Sequence, residues 1–170
     1  MGVLSGRCSD GLHPVFRAHA ENRHRRSYES RLASLRGHAV IYYFDVDEFK
    51  SVNDTFGHGV GDAVLAEVGS TIYAVFSKVG YCNRIGGDEF CVLAQISDTA
   101  AEKYLSEFLR ELTARRVKNE HLPHVSVGYA CFNPVLGSVE DAIKRADRMM
   151  YHYKRKLKSE ALTNDDTVKS

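Results

Sequence analysis

The sequence predicts an α/β fold of the α+β kind, a mixed central sheet covered by helices, on three observations. An unbroken apolar run at residues 39–44 reads as a buried central strand. Gly86-Gly87 joins Tyr81-Cys82-Asn83-Arg84-Ile85 to Phe90-Cys91-Val92-Leu93, a hairpin pattern in which glycine would supply the positive φ of a tight turn. The other long segments carry apolar residues at helical spacing.

In chain order, residues 1–15 read as irregular, and a helix is expected over residues 16–35 with Tyr28, Leu32 and Leu35 as its apolar stripe. The first strand follows. Gly61-Asp62 then introduces a helix with Leu65, Val68, Ile72 and Val75 on one side, leading into hairpin strands near 81–85 and 89–96. Thr99 and Glu102 have the spacing of a capping box ahead of a helix whose apolar face is Ala101, Leu105, Phe108, Leu109 and Leu112. A strand near 124–131 and a helix from Ser138, with Val139, Ile143, Ala146, Met150 and Leu157 inward, complete the order β-α-α-β-β-α-β-α. Residues 161–170 read as a polar, frayed tail, so the folded domain is expected over residues 16–160.

A length of 170 residues suits one domain with a real core. The net charge of +1 gives no global basic field, so no nucleic-acid polymer is expected as a partner, and Arg23, Arg25, Arg26 and Arg31 read as a solvated helix face. Cys8, Cys82, Cys91 and Cys131 lack the paired spacing of a zinc site and fit a reducing cytosol. The apolar run at 39–44 is far shorter than the roughly 20 residues of a membrane span, so no membrane contact is expected from this segment. Of the eight histidines only His58 falls in a motif.

Two acidic clusters carry the chemistry. Asp88 and Glu89 follow the glycine pair at the hairpin tip, and Asp45, Val46 and Asp47 end the first strand. Period 2 sends Asp45 and Asp47 to one face, and a strand end leaves a backbone carbonyl for an ion. Hard oxygen donors of this kind favour Mg²⁺ or Mn²⁺ over zinc.

The run Asp45-Val46-Asp47-Glu48-Phe49-Lys50-Ser51-Val52-Asn53-Asp54 is followed by Gly57-His58, Gly61-Asp62 and the Gly86-Gly87-Asp88-Glu89-Phe90 hairpin. Later come Ser126-Val127-Gly128, Ala146-Asp147, Met150-Tyr151 and Lys154. Together they resemble the GGDEF-domain diguanylate cyclases over residues 38–158. The resemblance implies a fold like the palm of nucleotide polymerases and class III nucleotide cyclases, with the first strand beside the hairpin. It implies condensation of two GTP into cyclic di-GMP and two pyrophosphates, one GTP on each chain of a homodimer. The metal ligands it implies are Asp45, the Val46 carbonyl, Asp88 and Glu89, holding two divalent ions. Asp88 is also the family's proposed base for the 3′-hydroxyl, a role that competes with coordination, because a metal-bound carboxylate is a weaker base.

In the resembling family, Asn53 and Asp62 bracket the guanine beside His58. A carboxylate suits guanine's N1–H and amino donors, whereas adenine leaves it unmatched, although an Asp at a helix start also reads as a cap. Backbone N–H groups at Phe49 and Lys50 are placed to cradle phosphates. Lys154 matches the lysine that reaches the triphosphate. Lys158 stands where the family has an Arg within Gly-Arg-Asn; it keeps the charge without the bidentate fork, and reads equally as a solvated helix end.

The resemblance has gaps. Asp10-Gly11-Leu12-His13-Pro14-Val15 replaces the Thr-Gly of the family's opening motif, and Ser77-Lys78-Val79-Gly80 lacks the Arg-x-x-Asp pair through which product inhibits relatives. The second gap makes product feedback through that window unexpected, whereas His13-Pro14 and the Leu157-Lys158-Ser159 in place of Gly-Arg-Asn support an alternative, a catalytically silent GGDEF domain serving as a GTP-binding or protein-interaction module. Retention of Asp45, Asn53, Asp62, Asp88 and Glu89 favours the enzyme. Domains of this family commonly end longer signalling proteins, so the expectations include a sensor domain and a cytosolic location, or the cytosolic part of a membrane-anchored sensor.

Overall fold

The computed structural model describes residues 28–32, 35 and 37–168, with side chains described as far as Ser159. Strand β1 (Ala39–Val46) occupies the middle of a four-stranded sheet ordered β2-β3-β1-β4, with β2 at Gly80–Arg84, β3 at Glu89–Ala94 and β4 at Val125–Phe132. Every ladder is antiparallel, which refines the expectation of a mixed sheet. Helices α1 (Phe49–Phe56) and α2 (His58–Phe76) follow β1, α3 (Ala101–Arg116) follows β3, and α4 (Val139–Val168) follows β4.

The continuous apolar character of β1 has a direct cause, since both faces of the strand are covered. Val40, Tyr42, Phe44 and Val46 point into a cluster with Val64, Val68, Ile72 and Phe76 of α2 and Phe108 and Leu112 of α3. Ala39 and Ile41 point the other way, towards Cys91, Leu93, Ala130 and Phe132 and the Ala142 and Ala146 positions of α4. The Phe44 ring lies 5.0 Å from Phe108 and 6.0 Å from Phe76, so three aromatic side chains knit the strand to two helices. By length and composition α2 could cross a membrane, yet its apolar face is spent in this core.

Several local expectations are corrected. Asp62 does not start its helix: α2 begins at His58, because Gly57 at φ 86° turns the chain straight from α1 into α2. The capping box at Thr99 and Glu102 does not form. Thr99 pairs with Ser97 at 3.0 Å at the edge of a 3-10 turn over Asp98–Ala100, while Glu102 accepts the Tyr129 hydroxyl at 3.0 Å. A reciprocal cap occurs instead before α4, where Ser138 Oγ accepts the Asp141 N–H at 3.1 Å and donates to Asp141 Oδ2 at 2.9 Å. The backbone of α4 runs on to Val168, so the residues read as a tail from 161 onward are helical to that point. No glycine or proline interrupts the sequence from 139 to 168, and propensity favours continuation. The N-terminal readings up to residue 27 lie outside the described residues. Within them, Tyr28 is buried, with Leu32 and Leu35 packed beside it, as their apolar stripe implies.

Helix α4 seats on β4 at Gly128. A Cβ there would stand 2.1 Å from the Met150 N and 2.2 Å from the Ala146 O, so glycine is what allows the helix backbone to touch the strand. Gly128→Ala is therefore expected to lower the unfolding free energy by about 1–3 kcal/mol through overpacking against backbone. Urea denaturation measures it, and an unchanged midpoint would contradict this seating.

Candidate active site

The site grows from the C-terminal end of β1. In the β1–β3 register Asp45 faces Glu89, and in the β1–β4 register it faces Ser126. The Val46 N–H donates to the Asp88 carbonyl at 3.1 Å, tying the hairpin tip to the strand end. Sequence-predicted Asp45, Val46, Asp88 and Glu89 are thus gathered at one corner of the sheet.

The hairpin is built differently from the primed turn expected of Gly-Gly. Among the described residues the only glycine with positive φ is Gly57. At Gly86 a Cβ would lie 2.5 Å from Glu89 Oε2, so a side chain there would make the end of the Glu89 carboxylate shift from its present position. Both Ile85 and Gly86 donate their N–H groups to the Glu89 carbonyl, at 2.9 and 3.3 Å. Arg84, nearly buried, donates from Nε to the Gly86 carbonyl at 3.2 Å and from Nη2 to the Gly87 carbonyl at 2.6 Å. Sequence reasoning missed this clamp, although an Arg just before a tight turn was a signal for it.

From the other side, α4 delivers Lys154. Its Nζ donates to Asp45 Oδ1 and lies 3.7 Å from Asp47 Oδ1. Asp45 and Asp47 therefore share a face, as period 2 predicted. Asp47 is itself buried and accepts from Ser126 Oγ, which sits 2.9 and 2.8 Å from its two carboxylate oxygens. The role of Ser126 was not legible beyond its place in a motif.

The electrostatics follow from this crowding. Burial, then the charges of Asp88, Asp45 and Asp147, hold the Glu89 carboxyl above its ordinary range, with Lys154 acting in the opposite sense. Burial raises Asp47 as well, partly offset by the Ser126 hydrogen bond and the Lys154 charge. For Lys154, burial works against the ammonium, yet the hydrogen bond and charge of Asp45, with Asp47 and Asp88, leave it more firmly protonated than usual. Among the described residues no group of three or more carboxylate, imidazole or thiolate side chains is gathered so that it could hold a metal ion.

The predicted base readers lie on α1 and α2. Gly57 brings the helices together so closely that a Cβ on Gly61 would overlap Asn53 Oδ1 at 1.9 Å. The Asn53 amide thus rests against the residue preceding Asp62. Asp62 is exposed in the second turn of α2, which removes the cap reading. His58 and Lys50 are exposed and Phe49 is half-buried, in the first turns of their helices. Glu48, the only non-glycine residue with positive φ among those described, turns the chain at φ 55° from the strand end into α1.

Lys154 and Lys158 line a cleft of ≈ 300 Å³ with Asp47, Glu48, Pro123, His124 and Leu157. Cys82 and Cys91 are buried, with the Cys82 thiol pushed up to about 12 by that burial, so both act as apolar fillers. The Ser77–Gly80 window carries no Arg or Asp, and a Cβ on Gly80 would meet the Leu93 carbonyl at 2.6 Å.

A carboxylate pair across a strand end, a lysine over it and paired helices with exposed polar groups meet at one corner of a palm-like sheet. The chain matches the family described as diguanylate cyclase, GGDEF domain, over residues 17–160, and it belongs to that family. It is 33% identical over 159 residues to the probable diguanylate cyclase DgcC of Escherichia coli K12, covering 90% of this chain and 42% of that protein. A diguanylate cyclase of Vibrio cholerae is 29% identical over 133 residues, covering 76% of this chain and 41% of that protein. The chain thus spans less than half the length of these two relatives. The GGDEF domain of DgcB from Caulobacter crescentus, solved with c-di-GMP, superposes with a TM-score of 0.63 at 27% identity, covering 89% of this chain and 94% of that one.

One titration tests the packing of the site wall. Burial, and next the Arg116 guanidinium, hold the His124 imidazole below its ordinary 6.5, with Asp47 pulling it up. Between that folded midpoint and 6.5 the unfolded chain binds more protons, so the associated stability is full above 6.5 and declines as pH falls towards the folded midpoint. A proton NMR titration should place the His124 midpoint below 6.5, and a midpoint at or above that value would contradict the burial.

Proposed function

We propose that this chain is a diguanylate cyclase domain that joins two GTP into cyclic di-GMP. Each ribose 3′-oxygen attacks the α-phosphorus of the other GTP, forming two P–O bonds, and two pyrophosphates leave with the displaced charge. The observation that carries this reading is the pairing of Asp45 with Glu89 across the β1–β3 ladder, beneath the Lys154 ammonium. Family membership and the names of the relatives support it.

The donors are of the kind that suits Mg²⁺ or Mn²⁺, and family membership rather than a cluster already gathered supports them as the ligands. Asp45, Asp88 and Glu89 offer hard oxygens at the strand end and hairpin tip, and a divalent cation would relieve the carboxylate repulsion that, after burial, raises Glu89. The Val46 carbonyl is the backbone donor assigned to the same ions. When bound, these ions supply charge neutralisation at the reacting phosphates and activation of the attacking oxygen. The chain's own residues do the rest. Lys154 and Lys158 draw the triphosphate into the cleft, and the N–H groups of Phe49 and Lys50 at the start of α1 add donors to it. Asn53 and Asp62, with His58 alongside, read the guanine edge; Asp88 serves first as a metal ligand, and the competing role of base for the 3′-hydroxyl comes second to it. Each chain holds one GTP, so ring closure requires a homodimer of two chains face to face. Feedback by product through the Ser77–Gly80 window is not expected, because that window lacks both charges and Gly80 has no room for a side chain.

The test is incubation of purified protein with GTP and Mg²⁺ and mass detection of the product. Cyclic di-GMP should appear, and Asp45→Ala and Glu89→Ala should abolish it while circular dichroism stays native, because neither side chain fills the core. GTP binding without product would establish the silent module instead.

Base choice gives a separate prediction. Asp62→Ala should cut the preference for GTP over ATP by about 1.5–3 kcal/mol, the worth of a hydrogen bond to a charged group. Nucleotide competition measures it, and unchanged discrimination would remove Asp62 from the base-reading site.

A further inference from the structure

Resting on the reading of this corner as a GTP site, we propose that Asp47 is a positioning residue that acts through Lys154, with Ser126 as the group that fixes it. Asp47 follows the end of β1 and is 8% exposed, and Ser126 on β4 is fully buried. The Ser126 hydroxyl reaches both Asp47 oxygens, at 2.9 and 2.8 Å, and the Asp47 N–H donates to the His124 carbonyl at 2.9 Å. Main chain and side chain of Asp47 are thus both tied to the beginning of β4, and its carboxylate has one orientation.

From that fixed point Asp47 Oδ1 lies 3.7 Å from the Lys154 Nζ, which donates to Asp45. A lysine stem is flexible, and its ammonium carries several donors that re-aim easily. Two carboxylates on one side restrict it. Asp45 faces Glu89 and the hairpin, so its charge is shared with the reacting end of the site. Asp47 faces Ser126 and its bonds leave it no freedom to move towards that end. It holds the ammonium beside the cleft lined by Pro123, His124, Leu157 and Lys158, where a triphosphate would lie. The buried Ser126 has no other evident task, since a fully buried hydroxyl needs an acceptor and alanine would fill the same space without one.

A double-mutant cycle on GTP affinity tests this. Asp47→Asn keeps the size and an acceptor for Ser126 but removes the charge, and Lys154→Met removes the ammonium. Binding of a fluorescent GTP analogue in the presence of Mg²⁺ is measured for wild type, both single variants and the double variant. Asp47→Asn should weaken binding about tenfold alone and less than about twofold when Lys154 is already Met, the non-additivity of residues acting as one unit. Equal weakening in both backgrounds overturns the proposal. Should Asp47→Asn fail to fold, Ser126→Ala, which retains the charge and frees the carboxylate, enters the same cycle with the same two outcomes. A second readout needs no nucleotide. In protein with ¹³C-methylated lysines, Asp47→Asn should shift the Lys154 resonance, and an unmoved resonance overturns the proposal. If wild type fails to bind the GTP analogue, it is the functional reading that fails, and the Lys154 resonance still decides whether Asp47 holds the ammonium.

Discussion

The register of β1 is the constraint on which the remainder depends. It pairs with β3 on one edge and β4 on the other, and through it Asp45 is set opposite Glu89 on one side and Ser126 on the other. Because side chains alternate, a slip of one residue would send the whole inward set to the opposite face. The two faces are not equivalent. Tyr42, Phe44 and Val46 need the deep space under α2 and α3, while Ala39 and Ile41 face the side on which α4 approaches β4. At Gly128 that approach leaves no room even for a methyl group, so large aromatic residues turned to that side would displace the helix. Burying one Phe is worth about 1.5–3 kcal/mol, and several such side chains vote for the same register. The position of the acidic pair is therefore a consequence of core volume rather than of any interaction between the acids.

Left to themselves the acids would open the corner. Burial is the larger cost at Glu89, and the charges of Asp88 and Asp45 add repulsion to it. What holds them is backbone. The Asp88 carbonyl receives the Val46 N–H, the Glu89 carbonyl receives two N–H groups, and Arg84 bonds the carbonyls of Gly86 and Gly87 from below. Lys154 adds the opposite charge from a helix fixed independently at Gly128. Charge is thus concentrated by main-chain hydrogen bonds on rigid strands, the condition under which it acts without reorganisation of its surroundings.

Much of this was legible in the sequence. The apolar run ending in Asp45 gave the central strand, the Gly-Gly hairpin gave its neighbour, and period 2 correctly placed Asp45 and Asp47 together. Helix existence was read from spacing, but helix starts were misread where chemistry was non-local. Thr99 and Glu102 have a capping pattern, and Glu102 is taken instead by Tyr129, a residue on β4 that no local rule brings near. Asp62 looked like a cap because the turn at Gly57 lies five residues earlier and belongs to two helices at once. Gly86 was assigned to a positive φ that it does not adopt, and its nearness to the Glu89 carboxylate is visible only once side chains are placed. The pairing of Ser126 with Asp47 spans 79 positions and depends on the β1–β4 ladder, so no window of sequence could contain it.

The parts of the corner differ in exposure, and the difference has a physical meaning. Asp45, Asp47 and Glu89 are shielded and rigidly tied, whereas Lys50, His58 and Asp62 are exposed on the two short-coupled helices. Groups that must carry charge at a reacting phosphate gain from a low local dielectric, and they bear its cost within the fold itself. Groups that discriminate a base gain nothing from early burial, because an unpaired buried carboxylate would destabilise the free chain. Left in water they cost little, and the arriving base supplies both the desolvation and the matching donors. Under the proposed reading, selectivity would come from the difference between a base that satisfies Asp62 and one that strands it. Gly57 and Gly61 have a structural reason of their own: they draw α1 and α2 so close that Asn53 rests against the residue before Asp62.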